Sequence, residues 1–231
     1  MDDTGRKAAL GGLYPHLAPA APRAREALDA ALLQALQQKC RDSVAVKQRF
    51  FDEQAPNLLR AAHLLAQCFR TGGRLYTLGN GGSSCDAAHV AVEFQHPVTA
   101  GRPALPAQNL AQDMAMITAV ANDVGVSEIF ARQMPGRVRA GDTVLALSTS
   151  GNSANLLRGL EAAKALGAHT LALAGGDGGL MARSAAVELC LVVRSDSIHR
   201  VQETHVAAYH TLWDLVHSLL ADDRHAPGAA P

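Results

Sequence analysis

What most constrains the fold is a rhythm in the sequence. Short apolar runs at 74–78, 104–110, 143–147, 170–174 and 187–193 alternate with segments in which a helix fits, at 83–95, 112–121, 127–134, 154–166 and 179–184. Strands joined through helices cannot be hairpin neighbours; they lie parallel, and the crossovers cover the sheet on both faces. The expected fold class is therefore α/β, a five-stranded parallel sheet flanked by helices in three layers. Pro106 cannot donate to a ladder, which puts the second run at an edge.

Before this alternation the chain is helical. Leu28, Leu32, Leu36 and Cys40 recur at the spacing of one helix face, predicting a helix over 25–53. Pro56 then restarts a second helix through Leu59, Ala62, Ala66 and Phe69, which Gly72-Gly73 ends. The last helix, over 200–220, carries one apolar row at Val206, Tyr209, Trp213, Val216 and Leu220 and another at Ala208, Leu212, Leu215 and Leu219. So wide an apolar surface is buried on more than one side, either within the core or against another subunit. Residues 1–24, with Gly11-Gly12, Pro15, Pro19 and Pro22, read as a flexible arm and 221–231 as a flexible tail, leaving 25–220 as one domain with a helical N-terminal extension.

Composition excludes several classes of function. The 21 Lys+Arg balance the 21 Asp+Glu without a dense basic run, so neither nucleic acid nor a membrane surface is an expected partner. No apolar segment reaches the ~18 residues of a membrane span. Cys40, Cys68, Cys85 and Cys190 form no CxxC pair and no signal sequence precedes them, which points to a reducing cytoplasm.

Two of the apolar runs end in small-residue turns. Gly79-Asn80-Gly81-Gly82-Ser83 follows the first run, and Ser148-Thr149-Ser150-Gly151-Asn152-Ser153 follows the third. In an open α/β sheet, ligands collect at the C-terminal strand ends, where helices begin and point backbone N–H groups outward. Glycines let those donors approach an anion, and the hydroxyls add further donors. With no Gly-Lys-Ser/Thr loop, the pattern suits a sugar phosphate rather than a nucleoside triphosphate. The glycine turn also opens the helix that carries His89 and Glu93, four residues and about 6 Å of rise apart on one face. A third turn, Gly175-Gly176-Asp177-Gly178-Gly179, offers a phosphate neither hydroxyl nor cation and reads as structural.

The segments GNGGSSCDAAH (79–89), AND (121–123), STSGNS (148–153), AGGDGG (174–179) and RVQETHVAAYH (200–210) together resemble the sugar isomerase (SIS) domain family, and within it the bacterial phosphoheptose isomerases. That resemblance spans most of the chain and implies a flavodoxin-like or Rossmann-like sandwich that interconverts sedoheptulose 7-phosphate and D-glycero-D-manno-heptose 7-phosphate. It carries sugar-phosphate contacts onto Asn80, Gly81, Gly82, Glu93, Asn122, Asp123, Ser148, Thr149, Ser150, Ser153 and Gln202. It carries one zinc per active site onto His89, Glu93, Gln202 and His210, and implies a homotetramer with intersubunit active sites. Two positions depart from the family: Phe94-Gln95-His96-Pro97-Val98 stands where a Gly-Arg segment is usual, and Val92 where an acidic residue precedes the catalytic Glu.

An aldose–ketose exchange needs a proton moved between adjacent carbons through an enediol, work suited to a carboxylate and an imidazole. Glu93 is assigned as the base and His210 as the acid serving the sugar oxygens; a zinc on the same residues would instead polarise the carbonyl. Gln202 and His210 stand eight residues apart, about 12 Å along a regular helix, too far to share one ion at ~2 Å from each. Either Gln202 precedes the fully formed helix or the two come from different chains. The alternatives to a phosphoheptose isomerase are a noncatalytic sugar-phosphate sensor or scaffold, and an isomerase of another sugar phosphate.

Overall fold

The structure is a computed structural model and describes residues 25–224. The arm expected over 1–24 lies outside the described residues. The chain divides into two compact units, one up to Arg41 and one from Asp42 onward. Within the first, the described residues are helical, Leu28, Leu32, Leu33 and Leu36 are exposed, and the Arg41 guanidinium donates to Gln38 Oε1 at 2.8 and 3.1 Å.

The element order is α1 (Arg25–Arg70), β1 (Leu75–Gly79), α2 (Gly82–Gln95), β2 (Ala107–Asn109), α3 (Met114–Asp123), two 3₁₀ turns (Val126–Glu128 and Ala131–Gln133), and α4 (Met134–Arg137). There follow β3 (Thr143–Ser148), α5 (Ala154–Ala165), β4 (His169–Gly175), a 3₁₀ turn (Met181–Arg183), β5 (Leu189–Val193) and α6 (Ile198–Arg224). All five strands are parallel, in the order β2-β1-β3-β4-β5, as the alternation of apolar runs requires. Strand β2 is at one edge and β5 at the other. Strand β2 starts only after Pro106, whose carbonyl accepts the Leu75 N–H at 3.0 Å although its nitrogen has no proton to give.

Alternate side chains along each strand feed two separate cores. Leu145, Leu147, Leu171 and Leu173 pack with Phe50, Leu58, Leu65, Val90, Phe94, Tyr209 and Leu212 on one face. Tyr76, Val144, Ala146 and Ala172 pack with Phe130, Met134, Leu156 and Leu160 on the other. Because β1, β3 and the last six residues of β4 are buried throughout, their residues read as continuous apolar runs rather than alternations.

Four expectations are corrected. Pro56 does not restart a helix; α1 runs through it. A proline inside a helix costs about 3 kcal/mol, yet Phe50 before it and Leu58, Ala62 and Leu65 after it are buried in one core, and each large side chain so buried is worth about 1.5–3 kcal/mol. The helix expected over 127–134 is two 3₁₀ turns and a single α-turn. Buried Gln133 holds that segment by donating to the carbonyls of Leu110 (3.0 Å) and Ile129 (2.9 Å). The helix expected over 179–184 shrinks to one 3₁₀ turn, and α6 continues past 220 to Arg224, into the expected tail. All four cysteines are free, and no helix among the described residues is long and apolar enough to cross a membrane.

Candidate active site

Strands β1 and β3 are neighbours in register, Gly79 opposite Leu147, so the glycine turn and the hydroxyl turn emerge side by side at the C-terminal edge. A reciprocal amide pair ties them: Asn80 Nδ2 donates to Asn155 Oδ1 at 2.8 Å, and Asn155 Nδ2 donates to Asn80 Oδ1 at 2.9 Å. Between the turns lies a cavity of about 120 Å³ lined by Asn80, Ser83, Leu147, Ser148, Thr149, Ser150 and Ser153. Ser153 stands at the N-cap of α5, where a serine ordinarily accepts a helix N–H, but its hydroxyl makes no capping bond and lies 3.4 Å from that of Ser148. The hydroxyl thus does not serve the helix it precedes and lines the cavity instead.

The third glycine turn braces this cavity from behind. Gly151 sits at φ +65°, and a Cβ there would lie 2.1 Å from the Gly178 carbonyl oxygen, so only glycine lets the two turns meet. Met181 N–H then donates to Gly151 O and Leu180 N–H to Asn152 Oδ1, each at 2.9 Å.

The second half of the site lies along the seam of α2 and α6. A Cβ on Gly82 would fall 2.3 Å from Gln202 Nε2; His89 Nδ1 meets the Tyr209 hydroxyl at 2.8 Å; Trp213 Nε1–H donates to the Glu93 carbonyl at 2.9 Å. Every one of these pairs is 120 residues apart, so the two helices run parallel at a constant register. The missing side chain of Gly82 lets them approach where the seam begins. That register puts His210 against His89, ring centroids 5.1 Å apart, while His89 Nε2 lies 3.1 Å from Glu93 Oε1. Donor atoms of His89, Glu93 and His210 all fall within 4.8 Å of one another.

Tyr209 is 2 % exposed. Burial first, then the negative charges of Asp86 and Glu93, push its pKa above the ordinary phenol range, so it remains a neutral hydroxyl. Burial likewise raises the Asp86 carboxyl, an effect that neighbouring His89 opposes. At the far end of the seam the Arg102 guanidinium lies 4.5 Å over the Trp213 ring and pairs with Asp214 at 2.6 Å, closing that end with a cation.

The expected residues fall into four groups. Asn80, Ser148, Thr149, Ser150 and Ser153 line the cavity, with Gly81 and Gly82 leading from it into α2. His89, Glu93 and His210 form the cluster. Asn122 and Asp123, exposed at the end of α3, bond to each other at 2.8 Å and do not line the cavity. Gln202 lies inside α6, not ahead of it, which overturns the first of the two explanations for its distance from His210. Two turns of one helix separate them, and the Gln202 side chain lies against Gly82. Asn155, Tyr209 and Trp213 were not anticipated as site residues. Tyr209 and Trp213 read as part of an apolar row, and the one signal available was that their spacing of four repeats that of His89 and Glu93.

A tetrahedral zinc with bonds of about 2.0–2.1 Å holds its ligand atoms roughly 3.4 Å apart, so small side-chain rotations would close the cluster on one ion. Two imidazoles and a carboxylate are a fitting donor set.

A strand-end anion pocket beside an imidazole–carboxylate cluster defines a protein built to hold and process a phosphorylated small molecule. A model of the SIS domain family matches residues 40–175, and the chain belongs to that family. It is 42 % identical over 175 residues to a phosphoheptose isomerase of Desulfovibrio desulfuricans, covering 76 % of this chain and 82 % of that protein. It is 45 % identical over 162 residues to one of Chlorobaculum parvum, covering 69 % and 77 %. The solved structure of phosphoheptose isomerase from Neisseria gonorrhoeae superposes with a TM-score of 0.75 at 33 % identity, over 81 % of this chain and 99 % of that one.

Proposed function

We propose that this protein is an aldose–ketose isomerase interconverting sedoheptulose 7-phosphate and D-glycero-D-manno-heptose 7-phosphate. The observation that carries the reading is the joint presence of the hydroxyl-lined cavity and the His89–Glu93–His210 cluster, linked by one helix. From the start of α2 to His89 the helix rises about 10 Å. A seven-carbon sugar phosphate extends about 9 Å from phosphorus to its reacting carbonyl, at ~1.5 Å per bond in zigzag. The length of such an ester thus matches the rise of α2 from its start beside the cavity to His89.

Glu93 takes a proton from C1 of the ketose as the C1–C2 double bond forms and O2 gains a proton; the resulting enediol then loses the O1 proton and receives a proton at C2. His210 serves the two oxygens. No net proton is gained or lost. His89, Glu93 and His210 would hold a zinc ion, whose contribution is to polarise the carbonyl as a Lewis acid. A sensor would need the cavity but not the cluster.

We also assign a homotetramer in which neighbouring copies complete each site, with Gln202 of a second copy as the fourth ligand, and a cytoplasmic location. Supporting this are the exposed imidazole of His210, the two helical turns between Gln202 and His210, and the exposed leucines of α1. Incubation with sedoheptulose 7-phosphate in deuterated water tests the chemistry: the expected result is heptose phosphate carrying deuterium at C2. Binding without exchange would leave only a sensor. Activity that survives dissociation to monomers would remove the shared site.

A further inference from the structure

We infer that Tyr209 is a positioning residue for this site, its hydroxyl fixing the His89 imidazole so that Nε2 addresses Glu93. The inference rests on the isomerase reading and goes beyond it by naming a residue that touches neither sugar nor ion.

With Glu93 ionised and the ring neutral, the available donors and acceptors set the direction of each bond. An ionised Glu93 carboxylate has no proton to give, so the 3.1 Å contact requires the proton on His89 Nε2. In a neutral ring Nδ1 is then a bare acceptor, and the Tyr209 hydroxyl at 2.8 Å donates to it. Were Nε2 to serve as a metal ligand instead, the ring proton would sit on Nδ1 and the same hydroxyl would accept it. A hydroxyl can fill both roles, whereas a carbonyl or a carboxylate could fill only the second. The Tyr209 ring also stands edge-on to both imidazoles, with centroids 5.4 Å from His89 and 4.8 Å from His210. The side chain is buried, so its hydroxyl has a fixed place from which to hold a half-exposed imidazole. Partners of this kind, one bond removed from the ion, are worth about 10–100-fold in metal affinity or activity.

The test is Tyr209→Phe in the full chain, which keeps the buried ring and deletes one oxygen. Zinc affinity, read by competition with a chromophoric chelator, is expected to fall about 10–100-fold. On sedoheptulose 7-phosphate, kcat is expected to fall about tenfold or more with KM within about twofold, because the phosphate contacts lie on other elements. In a His89→Ala background the same substitution is expected to change neither quantity further. Zinc affinity and kcat both within about twofold of the parent would overturn the assignment, as would an equal loss in the His89→Ala background. Should the parent fail to isomerise the sugar, the functional reading falls, and the zinc arm still decides Tyr209.

Discussion

The cavity at the strand ends and the cluster on the helix seam differ in how they are built. The cavity draws on residues within two short turns, Asn80 to Ser83 and Leu147 to Ser153, with Asn155 just beyond them binding one turn to the other. The cluster draws on side chains 121 and 117 residues from His210 and exists only because α2 and α6 keep a constant register. If, as proposed, the cavity binds and the cluster reacts, binding and turnover should come apart under mutation.

The largest separation is expected from Glu93→Gln, which deletes the base and leaves the cavity intact. kcat should drop by about 10²–10⁴ while KM stays within a few-fold, measured by steady-state kinetics on sedoheptulose 7-phosphate. Turnover within a few-fold of the parent would break the comparison, since the seam would then carry no chemistry.

Acid should destabilise the fold next. His205 lies on α6 with 0 % exposure, and among the described residues the Ala174 carbonyl is its polar neighbour, too poorly aligned for a full hydrogen bond. Burial lowers its pKa from 6.5 to about 4, and the Ala174 carbonyl offsets only part of that. The unfolded chain therefore binds the extra proton between about pH 6.5 and 4, and in that window stability falls as pH falls, by up to about 3 kcal/mol, before levelling off below. Thermal midpoints recorded across this range should show the slope, and His205→Gln should flatten it.

Asn155→Ala removes one half of the amide pair that joins the turns and leaves Asn80 unanswered. A loss of about 1–3 kcal/mol in stability is expected by denaturant titration, with a rise in KM larger than any fall in kcat. Ser153→Ala should have the smallest effect and sharpen the comparison most. Its hydroxyl caps nothing, so the thermal midpoint should barely move while KM rises about tenfold, the loss of one hydroxyl hydrogen bond to the anion. A destabilised Ser153→Ala protein with unchanged KM would make that serine a helix cap after all.

Legibility followed the same division. Ser148, Ser150 and Ser153 could be read directly, because a strand, a turn and a helix start are consecutive in sequence and the sheet brings the turns together whatever the rest of the chain does. His89 and Glu93 were legible as a pair through the helix period alone. Pro56 misled, because a local breaker cannot report the burial on both sides of it. Tyr209 and Trp213 looked like core, which they are; that Tyr209 also meets His89 and Trp213 the Glu93 carbonyl, each 120 residues away, was decided by the packing of the two helices.

From sequence alone came the alternation that makes a parallel sheet, the edge position of β2, and the small residues that line the anion cavity. Tertiary structure alone decided that Gln202 rests on Gly82 while His210 reaches His89, and that a tyrosine holds the imidazole. The reason is physical: a repeat of two or 3.6 residues fixes which face of an element is apolar, but the axial register of two packed helices is set by how their side chains interdigitate. Gly82 contributes to that register only through the side chain it lacks.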